Sequence, residues 1–231
     1  MNPRNFTISI NKSASLFDEV GLLLAVRCPT SLRVTSDFKK LSLDRTTQYK
    51  NLYLKAIETQ DYNIILRDYS FFQFSLLNIS DCSVRYAFYP NPLRGEQPSY
   101  ILDCNQMFEE GRLDYEEYCQ LISELKEHYG VPCIRYDFSP SCYKQRLHPA
   151  AHFHIGFYHD DRWSSSIFLT PMMFSLLICN MYYFHVVHKK NDIANNYSDE
   201  LYKLIKKERG MCTQIQSDYF SDDDRSVIHF R

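Results

Sequence analysis

A chain of 231 residues with a net charge of −2 has room for one large domain or two small ones, and lacks the cationic excess of a general nucleic-acid binder. Its eight cysteines are scattered without a CxxC pair, and the opening MNPRNFTISI has no apolar signal core. A disulfide frame, a structural zinc site and secretion are therefore not expected; the thiols are expected to be mostly buried and the protein cytoplasmic.

Residues 1–60 read mostly as helix, with apolar positions at helical spacing in FDEVGLLLAVRC (17–28) and RTTQYKNLYLKAIETQ (45–60). The period then changes. The β-branched and aromatic run 64–78 and the alternating run 81–93 read as strands joined by a turn over Asn78–Cys82, and SYILDCN (99–105) as a shorter strand. Asp114 followed by Glu117 forms a capping box, and Gly130 offers a left-handed stop, so 114–129 is predicted to be a helix. Two strands, 133–138 and 151–158, flank a loop over 139–150, and 163–170 is a further strand.

Thr170-Pro171 then caps a helix from 172 to about 189 that is apolar nearly all round and is expected to be central. Ser175, Asn180 and His185 interrupt its apolar run, which is too short and too polar to span a bilayer. Ser198 is expected to cap a last helix over 199–209 ending at Gly210, and 217–231 to be a loose tail with an acidic stretch at 217–224. The fold expected is a single α+β domain over 1–231: an antiparallel sheet of about five or six strands in 61–170, with helices in the N- and C-terminal parts.

The chemistry concentrates between Cys133 and Trp163. Residues two apart on a strand share a face, so His152 and His154 set two imidazoles roughly 7 Å apart, and Arg135 and Asp137 repeat that spacing. If the two strands pair, one face carries arginine, aspartate and two histidines. Such a face suits acid–base chemistry, with Arg135 as an anion fork and Asp137 orienting an imidazole. Read blandly, it is a cross-strand salt bridge beside histidines bonded to backbone. His148 is a third catalytic or ligand position, and Arg162 either joins the anion site or pairs with Asp160 and Asp161. No cofactor is expected; were a divalent metal present, Asp137, His148, His152 and His154 would be its ligands. His185 and His188, near a helix C-terminus, and the Lys203, Lys206 and Lys207 group read as dipole and solvent effects.

The order Arg135-Tyr136-Asp137, His148-Pro149, His152, His154-Ile155-Gly156, Arg162 and Leu169-Thr170-Pro171 resembles an uncharacterised bacterial family known only as a domain of unknown function, over about 130–190. A shorter likeness, RYD followed by an HxH strand, is to TumE-type toxins of bacterial toxin–antitoxin pairs; the long helical N-terminal part departs from that pattern. These resemblances imply a toxin-like or antiviral-defence effector acting on RNA or another phosphodiester, with His152 and His154 as general base and acid and Arg135 on the scissile phosphate. The alternative is a non-catalytic subunit that binds a protein partner from the same operon. No membrane association is expected.

Overall fold

The computed structural model describes residues 2–93, 104, 106–123, 132–157, 161–184, 197–226 and 229. Its centre is a seven-stranded antiparallel sheet in which every strand pairs with its neighbours in sequence: β1 (Leu23–Val26), β2 (Ile64–Leu66), β3 (Phe71–Asn78), β4 (Ser83–Tyr89), β5 (Ile134–Phe138), β6 (Ala151–Ile155) and β7 (Trp163–Ser164). With helices before and after it, the chain is α+β, with a strand or two more than expected.

Helix α1 (Pro3–Glu19) starts where the Asn2 side chain accepts from the Asn5 N–H, with Pro3 in its first turn. Phe6, Ile10, Ser13, Ala14 and Phe17 form its buried stripe. The helix expected over 17–28 is corrected. Gly21, at φ 74°, turns the chain out of the helix, and residues 23–26 form an edge strand whose backbone pairs with β2. The run 64–78 is likewise two strands, folded back on each other by a tight turn in which Tyr69 takes φ 63°. The β3–β4 hairpin turns over 79–82 as expected.

Helices α2 (Ser36–Leu43) and α3 (Tyr49–Glu58) follow β1. Helix α4 (Tyr115–Ser123) shows the capping box in both directions: Glu117 N–H donates to Asp114 Oδ1 at 2.8 Å, and Asp114 N–H to Glu117 Oε2 at 3.0 Å. Its expected continuation to 129 and the Gly130 stop lie outside the described residues. Of the strand expected at 99–105, Cys104 is helical and the other positions are not described. The segment 163–170 is two short strands. The second, β8 (Ile167–Phe168), leaves the main sheet and pairs with β9 (Thr213–Gln214).

Helix α5 (Pro171–Tyr182) begins at the Thr170 cap, whose hydroxyl accepts from Met173 N–H at 3.0 Å. His185 and His188 fall outside the described residues. Helix α6 (Tyr197–Met211) starts before Ser198 and runs through Gly210, so neither residue ends it. Of the tail expected to be loose, the acidic part up to residue 226 is folded against the rest of the chain. Residues 222–226 form α7 (Asp222–Ser226); buried Asp224 accepts from the Tyr143 hydroxyl at 2.8 Å, and Asp223 from Gln145 and Arg146. The tail thereby clamps the 139–150 loop. Only Cys104 and Cys179 are buried, whereas Cys119 and Cys142 are exposed, so the thiols are less buried than expected.

The two sheet faces divide the labour. On one face, Phe72, Phe74, Tyr86, Phe88, Ile134, Tyr136 and Phe153 pack beneath α1 and α5 in the main core. The Tyr86 and Tyr136 hydroxyls donate to the carbonyls of Leu169 and Ile167, satisfying buried polar groups. On the other face, α2 and α3 cover only Ile65, Phe71, Ala87 and Tyr89. The remainder of that face, over β4 to β7, is the candidate site. The core assignment is testable on α5: Ile178 is buried and Leu177 only partly so. Ile178→Ala should cost about 2–5 kcal/mol in urea unfolding, and Leu177→Ala clearly less.

Candidate functional site

Strands β5 and β6 are antiparallel neighbours with Arg135 opposite His154 and Asp137 opposite His152. The four side chains therefore share one face, as the two-residue spacing predicts. The register extends the rows: Arg85 on β4 lies opposite Asp137, and Ser164 on β7 opposite His152. One row reads Arg85, Asp137, His152, Ser164, and the next Ala87, Arg135, His154.

Asp137, 8% exposed, is the anionic centre of this patch. The Arg85 guanidinium clasps it with two donors, Nε to Oδ1 at 2.8 Å and Nη2 to Oδ2 at 3.2 Å. Arg135 Nε lies 3.2 Å from Oδ2 but, although buried, makes no hydrogen bond among the described residues: the charges attract while the N–H points elsewhere. Burial works to raise the Asp137 pKa. The charges of Arg85 and Arg135, the Arg85 hydrogen bonds and nearby His152 together outweigh it, and the carboxyl ends below its ordinary value.

His152 Nδ1 lies 2.8 Å from the Pro149 carbonyl oxygen. A carbonyl only accepts, so Nδ1 carries the hydrogen and the neutral ring presents a lone pair at Nε2. That Nε2 is 3.1 Å from His154 Nε2, and His154 Nε2 is 3.9 Å from Asp137 Oδ2. His148 stands edge-on to His152 with ring centroids 5.0 Å apart, continuing the chain of imidazoles to three. Burial above all pushes the His152 pKa down from 6.5 to about 4 against the pull of Asp137, with smaller lowering contributions from the neighbouring imidazoles of His154 and His148.

The histidine face is not an open one. His152 is 2% and His154 6% exposed, because strand alternation chooses a face but not what covers it. His154 and Arg135 do line a small cavity of about 50 Å³ together with Ser42, Tyr89, Cys133 and Phe157. Cys133 is only partly buried as a residue, but desolvation of its thiol in this cavity pushes it up to about 12, so it is protonated there. Larger hollows of about 420 and 530 Å³ lie beside α1 and the β8–β9 pair, away from the histidines. Three buried polar atoms around the patch, Arg135 Nε, His148 Nδ1 and Ser164 Oγ, have no hydrogen-bond partner among the described residues.

The structure thus brings Arg135, Asp137, His148, His152 and His154 together. Arg162 is exposed one residue before β7; continuing the β6–β7 register by one step would set it level with His154. Sequence reading missed Arg85 and Ser164. The signal for Arg85 was its place in an alternating strand, SVRYAFY, where it points away from the aromatic face.

A family model described as an uncharacterized conserved protein, DUF2290, matches residues 27–231. The chain belongs to that family. No curated protein and no solved structure matches it. Among the described residues, no helix is long and apolar enough to cross a membrane.

The buried imidazole makes stability depend on pH. Between about pH 6.5 and 4 the unfolded chain holds a proton on His152 that the folded protein does not, so unfolding takes up protons and stability falls as the pH falls through that window. The shift corresponds to roughly 3 kcal/mol. Asp137, whose pKa is lowered, adds a loss of the same sign below its ordinary 3.8. Thermal melts should show the midpoint dropping from pH 6.5 to 4, with a flatter profile in His152→Gln.

Proposed function

We propose that the chain is an effector enzyme of the toxin or antiviral-defence type, acting in the cytoplasm, whose reaction is cleavage of a phosphodiester, with RNA the expected substrate. The observation that carries this is the contact of two imidazole nitrogens at 3.1 Å on the sheet face that also holds two guanidinium groups. The Arg85 and Arg135 side chains are 48% and 38% exposed, so an anion reaches them from solvent, with the histidines behind.

Arg135, through the solvent-exposed part of its guanidinium, binds the phosphate and meets the charge that grows on it in the transition state. Arg85 does the same more weakly, because Asp137 already holds it. His152 is neutral at pH 7 and takes the nucleophile's proton; a phosphate beside it acts as Asp137 does and raises its pKa toward neutrality. His154 serves as the acid toward the leaving oxygen. His148 steadies His152 from behind, and Arg162 is a further phosphate contact at the sheet edge. The likeness of the RYD and HxH segments to TumE-type toxins supports the effector class.

One observation favours the other reading, a non-catalytic subunit that docks a partner protein: the histidines are almost fully buried. End-labelled RNA incubated with purified protein separates the two. The effector reading expects cleavage that drops at least about 10²-fold in Arg135→Ala and in His154→Gln, with Arg135→Ala melting like the parent. No cleavage of any RNA by the parent, together with large losses of thermal stability in the histidine variants, would favour the subunit.

A further inference from the structure

We propose that Asp137, His152 and His154 bind one divalent first-row transition-metal ion, zinc or a close neighbour, in an open three-ligand site. With the ion bound both Nε2 lone pairs are taken, so the ion stands in place of the proton transfers given to His152 and His154 above; its role in catalysis rests on the phosphodiester reading, its binding does not.

Three features of the geometry point there. First, one ligand atom from each residue lies within 4.8 Å of the others, and all three residues are buried. The two Nε2 atoms are 3.1 Å apart. With metal–nitrogen bonds of about 2.0–2.1 Å, that separation gives an N–metal–N angle of roughly 100°, between the octahedral and tetrahedral values. Asp137 Oδ2, at 3.9 Å from His154 Nε2, would close in by less than about 1 Å.

Second, the outer contacts are those of ligands held in place. The Pro149 carbonyl fixes the His152 ring with its Nε2 lone pair facing His154. Arg85 grips Oδ1 at the shorter distance and shares Oδ2 at the longer, leaving Oδ2 a lone pair for an ion. Third, two facing Nε2 atoms at this distance need either a hydrogen between them, carried by His154 and donated to the His152 lone pair, or a metal ion in the same space.

Three ligands leave positions open, which is the arrangement of an exchangeable or catalytic ion rather than a closed structural one. His148, whose Nδ1 is buried and has no hydrogen bond among the described residues, stands edge-on to His152 just outside the three-ligand set. Mixed imidazole and carboxylate donors select zinc, iron, cobalt or nickel over magnesium and calcium. The two arginines oppose a cation, and with it they leave the site strongly positive. An anion, such as a phosphate oxygen, therefore completes the coordination, and phosphate tightens the metal.

The test uses the full chain after treatment with a chelator. Titration with Zn²⁺ or Co²⁺ is expected to show one ion per chain by calorimetry, a visible Co²⁺ spectrum, a raised melting temperature, tighter binding with inorganic phosphate present, and no comparable response to Mg²⁺. His154→Gln and Asp137→Asn should each weaken Zn²⁺ at least about 10-fold, and His148→Ala reports whether a fourth ligand contributes. Should a variant fail to fold, the Co²⁺ spectrum of the parent decides. Less than one ion bound at a hundredfold excess of Zn²⁺, or undiminished binding in a folded His154→Gln, overturns the proposal. RNA cleavage without metal binding would sink the ion and keep the effector; stoichiometric metal without cleavage would do the reverse.

Discussion

The carboxylate of Asp137 is the group on which the polar half of the molecule depends. A charge placed this deep is tolerated only with a well-aligned counter-charge, and the two-pronged contact from Arg85 supplies it. The arginines hold the acid ionised while burial keeps His152 neutral. Two titratable groups on adjacent strands are thus set in opposite charge states by their surroundings, which is how a patch of ordinary side chains becomes chemically specific.

That patch exists because the sheet is covered unevenly. The aromatic face is sealed by α1 and α5, with Ser9 Oγ accepting from Met172 N–H across the two helices. The opposite face is sealed by α2 and α3 only as far as Ala87 and Tyr89. Two residues along β4 the face turns from Ala87 to Arg85, and one strand over from Ala87 it turns to Arg135. The small cavity holding His154 lies at this border, with aromatic walls on one side and guanidinium on the other.

Much of this was legible in the chain. Arg135, Asp137, His152 and His154 fall on one face because a strand repeats every two residues, and the family-like order of motifs from Arg135 to Pro171 falls within the matched region. Other features were hidden for definite reasons. LLLAV at 22–26 suits helix or strand equally, and only pairing with β2 decides it. Asp223 and Asp224 look like solvated tail until Tyr143 and Arg146 are brought to them from the 139–150 loop. Arg85 is 52 positions from Asp137, and no local pattern tells which strand will lie beside β5.

The long interval between β4 and β5 gives the Arg85–Asp137 pair a second consequence. The strands β1 to β4 form one meander and β5 to β7 another, and the two meet along a single seam. Sliding β5 along β4 by one residue would turn its tyrosine onto the wet face. Sliding by two keeps the faces but, in one direction, sets Arg85 against Arg135, and in the other leaves Asp137 facing Ala87 with no cation in its row. Each of these slips is electrostatically or hydrophobically penalised. The side chains that shape the candidate site therefore also act as the alignment key by which the two halves of the sheet find their correct join.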